Sequence, residues 1–64
     1  MTLDIILVTK GSEQVLLSYS DPYVIDEINK MQEGHILIVN DKSYRITSNI
    51  KLEDKTLVYI KHRR

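Results

Sequence analysis

Apolar and polar residues alternate with a period of two over most of this chain, and the period becomes helical only once. Residues 2–9 place Leu3, Ile5 and Leu7 on one face and Ile6 and Val8 on the other, so the first strand is apolar on both sides in its middle. Thr9-Lys10-Gly11-Ser12 is a turn signal. Glu13 to Ser20 returns as a second strand, with Val15, Leu17 and Tyr19 on one face and Gln14, Leu16 and Ser18 on the other. Ser20-Asp21-Pro22 then opens a helix: the Asp21 side chain can accept from a free N–H of the first turn, and Pro22 suits the first helical position. Val24, Ile25, Ile28 and Met31 form one stripe, while Asp26, Glu27, Lys30 and Glu33 face water. Gly34 stands where a left-handed residue closes a helix, which predicts a helix of about three turns over residues 22–33. The competing reading of that segment is a long loop.

His35 to Val39 is strongly β-prone, Asn40-Asp41-Lys42-Ser43 is a polar turn, and Tyr44 to Ile50 sets Tyr44, Ile46, Ser48 and Ile50 against Arg45, Thr47 and Asn49. After a charged loop over Lys51 to Lys55, Thr56 to His62 forms the last strand, with Leu57 and Tyr59 opposed to Val58 and Ile60. The predicted order is β-β-α-β-β-β in one domain spanning residues 1–64. The fold class is α+β and β-dominated: a small five-stranded antiparallel barrel or roll with one helix bridging the hairpins or plugging one end.

Length sharpens this picture. A single apolar core in 64 residues rarely supplies more than about 3–5 kcal/mol. Without cysteine there are no disulfides, and His35 and His62 are too far apart to suggest a structural zinc site. Self-association or a bound partner is the remaining common supplement. The run Ile5-Ile6-Leu7-Val8 is far shorter than the ~20 residues that cross a bilayer and has neither a basic flank nor a cleavage signal, so a cytoplasmic protein with no membrane partner is expected.

Net charge is zero, but residues 1–32 hold five carboxylates against Lys10 and Lys30, and residues 33–64 hold seven Lys or Arg against four carboxylates. Halves of opposite sign can steer head-to-tail contacts between copies, although solvated hairpin loops account for the same pattern.

Candidate chemistry is sparse. His35 beside Glu33 could form an acid–base pair, but an imidazole at a strand edge is the simpler account, and Ser12, Ser18, Ser20, Ser43 and Ser48 have no neighbouring histidine in sequence. No catalysis, cofactor or metal is expected. Nucleic-acid binding would use Tyr44 and Tyr59 as stacking platforms with Arg45, Lys61, Arg63 and Arg64 as cations, yet neutral overall charge provides little nonspecific phosphate attraction. The helix face around Asp26, Glu27 and Lys30 offers a second surface, for a basic protein partner. Assembly draws on the most residues: Leu3, Ile5, Ile6 and Val8 in the first strand and Leu57, Tyr59 and Ile60 in the last are interface or core candidates, because so small a chain cannot bury both faces of both strands within itself.

Gly34-His35-Ile36-Leu37-Ile38-Val39, then Tyr44-Arg45-Ile46 and Leu57-Val58-Tyr59-Ile60, resemble the hairpin plus strand of small bacteriophage and prophage proteins with SH3-like barrels. In those, a glycine and an acidic residue open one strand and a tyrosine opens the next; here His35 takes the acidic place. The resemblance spans residues 34–60 and implies a virion-assembly or host-interaction protein, acting in the host cell cytoplasm. The expectation is a non-catalytic, homo-oligomeric interaction module that binds a host or virion protein, with nucleic-acid binding through the second hairpin and tail as the alternative.

Overall fold

The computed structural model describes residues 1–63, in the order β1 (Thr2–Thr9), β2 (Ser12–Tyr19), α1 (Pro22–Asn29), β3 (Ile36–Val39), β4 (Lys42–Lys51) and β5 (Lys55–His62). The five strands make one curled sheet, a half-barrel in the order β2-β1-β5-β4-β3, which stays open between β2 and β3. Every neighbouring pair is antiparallel except β1 and β5, which run parallel from Thr2↔Lys55 to Leu7↔Ile60. The all-antiparallel expectation is corrected there. Returning along the helix and second hairpin reverses the chain enough for β5 to enter beside β1 in the same direction.

Local chemistry explains each boundary. Lys10 and Gly11 make a two-residue turn in which Gly11 takes φ 82°, and the Thr9 and Ser12 hydroxyls are 2.7 Å apart across it. Asp21 caps α1 as expected, its Oδ1 accepting from the Tyr23 N–H at 2.9 Å, with Pro22 next. The helix, however, stops at Asn29 rather than reaching residue 33. Lys30 and Met31 bond back three residues instead of four, and His35 Nδ1 accepts the Gln32 N–H at 2.7 Å, the donor that a continuing helix would give to Ile28. Gly34 does take a left-handed φ of 94°, but in the turn into β3, where its N–H donates to the Ile46 carbonyl at 2.8 Å. The polar turn after β3 is also tighter than its sequence suggests. Asn40 and Asp41, at φ 51° and 66°, form a two-residue turn of the type whose twist matches the strands, so β4 starts at Lys42.

The core lies between the concave face of the sheet and α1. Leu3, Ile5, Leu7, Ile46, Val58 and Ile60 from the three central strands meet Ile25 and Ile28 of the helix, with Val39 and Tyr44 closing one side. Two bulges decide what reaches this face. Opposite Ile5 and Ile6, β2 carries one extra residue, so Leu17 and Tyr19 turn inward with Ile5 and Leu3 while Val15 falls on the convex side beside Ile6. Thr47 is the second bulge, its hydroxyl donating to the Tyr59 carbonyl at 3.2 Å. Beyond it the alternation of β4 reverses: Tyr44 and Ile46 point inward, but Ser48 and Ile50 face outward and Asn49 takes the inner place opposite Val58. The strict alternations expected over Val15-Leu17-Tyr19 and Tyr44-Ile46-Ser48-Ile50 are both corrected by these insertions.

Candidate functional site

Among the described residues nothing covers the convex face of the sheet, because α1 lies on the concave side. Across this face the register aligns Val15, Ile6 and Tyr59 in one row and Asp4, Leu57 and Ile50 in the next. Val15 is 54% exposed and Ile50 44%, Val8, Leu57 and Tyr59 are half-buried, and Ile6, shielded by its neighbours, is 8% exposed. The Ser18 hydroxyl donates to Asp4 Oδ1 at 2.7 Å and pairs off the one carboxylate within these rows. The result is an apolar band of the kind that protein partners cover, with Tyr23, Ile36, Ile38 and Leu52 exposed outside it.

The candidates from the sequence divide across the two faces. Leu3, Ile5 and Ile60 are 0–1% exposed on the concave side and belong to the core of a single chain. Ile6, Val8, Leu57 and Tyr59 lie on the convex side and line the band. Val15 and Ile50 join them only because of the bulges, which is why sequence alternation missed both.

On α1, Asp26, Glu27 and Lys30 are exposed, and the Lys30 ammonium sits 3.5 Å from each carboxylate. Glu27 and Asp26 hold that ammonium above its ordinary value. Any stabilisation from this is fully present below the ordinary lysine value and is lost as pH rises through the raised one; full exposure keeps it small. Lys30 offsets one of the two carboxylates, so the patch offers a partner a small net negative charge. Beside it, Met1, Ser20, Pro22, Ile25, Asp26 and Asn29 line a shallow cavity of about 230 Å³. Its only side-chain carboxylate is the one bridged to Lys30.

The charge asymmetry runs along the strands rather than from half to half. The parallel pairing of β1 with β5 and the turn after β3 bring Lys10, Lys42, Arg45, Lys61 and Arg63 towards one end of the sheet, with Glu13 and Asp41 among them. Asp4, Asp21, Asp26, Glu27, Glu53 and Asp54 lie towards the other, with Lys30, Lys51 and Lys55. At the cationic end Val8, Thr9, Lys10, Lys61 and His62 border a broad open cleft. Tyr44 is corrected as a stacking platform: it is 4% exposed, built into the core, with its ring 5.2 Å from that of His62. Arg64, the last candidate of the tail, lies outside the described residues.

His35 is exposed and its Nδ1 is occupied by the Gln32 N–H, a role in the turn. Among the described residues no three His, Cys, Asp or Glu side chains converge in a way that could hold a metal ion, and no helix is long and apolar enough to cross a membrane. Comparison with protein-family models, curated proteins and solved structures finds no match for this chain.

Proposed function

We propose that this protein is a non-catalytic interaction module that self-associates and presents the convex face of its sheet to a protein partner. The observation that carries the reading is the register-aligned band of Val15, Ile6 and Tyr59 with Leu57 and Ile50, left uncovered on a domain with only one helix. A chain of 64 residues has a small core to stabilise it, so burying this band against another protein would add apolar contact that the monomer lacks. The similarity of residues 34–60 to SH3-like phage and prophage proteins supplies the context: a host or virion protein is the partner that the resemblance implies, met in the host cytoplasm.

A second reading is favoured by one observation, the five cations gathered at one end of the sheet. These could follow a phosphate backbone, though with Tyr44 buried only the half-buried Tyr59 is left of the two aromatic platforms such a site would use.

Light scattering on the purified full chain at low and high salt, alongside fluorescence anisotropy with a labelled single-stranded oligonucleotide, separates the readings. The expected result is a salt-resistant dimer or larger assembly with no oligonucleotide bound. A monomer at all concentrations overturns the proposal. So does an oligonucleotide complex that weakens with salt and is lost when residues 61–64 are removed, which favours the second reading.

A further inference from the structure

The two free edges of the sheet are not equally protected. β2 carries its bulge near mid-strand, which disrupts a template for pairing, whereas β3 reads Ile36-Leu37-Ile38-Val39 with no charge, proline or bulge. Ile36 is 39% exposed and Ile38 70%.

Hydrogen bonding within the second hairpin decides which backbone groups of β3 are free. Val39 and Lys42 flank the two-residue turn and exchange both bonds, so by alternation Leu37 bonds Tyr44. The far end keeps the same phase, since the Ile46 N–H donates to the His35 carbonyl at 2.9 Å, while Ser43 accepts from Arg63 on the β5 side at 3.3 Å. The N–H and C=O of Ile36 and Ile38 therefore point away from the sheet. Donors and acceptors in that alternation match the backbone of an extended polypeptide, the complement used in strand addition.

The charges around this edge are mainly of one sign. Lys42 lies opposite Val39, Arg45 opposite Ile36, Lys61 opposite Arg45, and Arg63 beside Ser43. All four are exposed, and among the described residues the ion pairs are those of Lys30 on α1. The carboxylates adjoining β3 in the chain, Glu33 and Asp41, offset only part of this charge. A second copy of β3 is a poor match, because pairing about Leu37 sets one cationic cluster against the other.

We propose that β3 accepts, by strand addition, an extended acidic segment of a different protein. Glutamates opposite Ile36 and Ile38 share the convex side with Arg45, whose backbone is two strand spacings, about 10 Å, away. Long side chains extended towards each other span that gap across the two isoleucines. The residue between those glutamates falls on the concave side beside Leu37, which packs against the core and suits an apolar neighbour. This inference goes beyond the self-association proposed above and does not depend on it: a monomer offers this edge, and so does a dimer closed over the convex band.

The test is fluorescence anisotropy on the full chain with a short labelled peptide that alternates glutamate with valine, joined to amide hydrogen exchange. The peptide should bind, with affinity falling as salt rises, and the same peptide with lysine for glutamate should bind at least about tenfold more weakly. Methylating the glutamate backbone nitrogens should abolish binding, and methylating those of the valines should not. Arg45→Glu, an exposed change, should weaken binding by about tenfold with an unchanged far-ultraviolet spectrum. The Ile36 and Ile38 amides should exchange quickly in the free chain and slowly in the complex. Absent or equal binding of the acidic and basic peptides, or unchanged exchange at Ile36 and Ile38 when peptide is bound, overturns the inference. So do amides already protected in the free chain in proportion to its concentration, which would place a second copy on the edge, and binding of a single-stranded oligonucleotide where the peptide fails.

Discussion

Ile60→Ala leaves the chain largely unfolded at room temperature in dilute solution. Ile60 sits in β5, the central strand of the sheet, with no accessible surface, and it joins Leu7 on one side to Ile46 on the other. Truncating a fully enclosed isoleucine costs about 2–5 kcal/mol, part of it lost transfer energy and part the cavity left behind. In a large domain such a loss is survivable. Here it is comparable to the whole ~3–5 kcal/mol that a core of this size provides. Urea titration followed by circular dichroism reads the outcome: with a slope near 1 kcal/mol per molar, the midpoint should fall by about 2 M or vanish. A fall of less than about 0.5 M would show that the site collapses around the smaller side chain and that the centre of this sheet is not its stabilising core.

Asn49→Val should act in the opposite direction. The Thr47 bulge delivers Asn49 to the inner face opposite Val58, in the same cross-strand row as Ile5, and its Oδ1 is buried with no hydrogen-bond partner among the described residues. An amide oxygen taken out of water without a donor costs about 1–3 kcal/mol, and a β-branched side chain suits both the strand and its neighbours. The valine variant should therefore gain on the order of 1–2 kcal/mol, seen as a higher urea midpoint at unchanged slope. A variant less stable than its parent would mean that the amide is held by a bond worth more than its burial costs. The Asn29 Oδ1 shares this condition at the end of α1.

Much of the architecture is written locally. Asp21 and Pro22 announce the helix, Gly11 and Asn40-Asp41 announce the hairpins, and Leu3, Ile5 and Leu7 mark a core face, because each depends on only a few neighbouring residues. The features that escaped the sequence are those set by partners far along the chain. Nothing in β1 or β5 says that they lie side by side and parallel. The two bulges have no composition of their own, and each reverses the facing of every residue beyond it, which moved Val15 and Ile50 outward and Asn49 inward. The end of α1 was missed for a different reason: His35 takes a backbone donor from Gln32, a competition that an apolar stripe cannot reveal. Of the surface, Ile6, Val8, Leu57 and Tyr59 were legible as apolar excess. That Leu3, Ile5 and Ile60 would be spent inside a single chain, and that β3 would be an edge, became visible only with the strand order.

Because β1 and β5 are adjacent and parallel, tension applied between the start of β1 and the end of β5 drives the two strands past one another along their length. The six residue pairs from Thr2↔Lys55 to Leu7↔Ile60 then bear the load together instead of opening one at a time like a zip. A domain of such small thermodynamic reserve is thereby built with a mechanical clamp between β1 and β5. Single-molecule pulling from residues 1 and 63 should meet a higher rupture force than pulling across the hairpin of β3 and β4, whose ladder peels from one end.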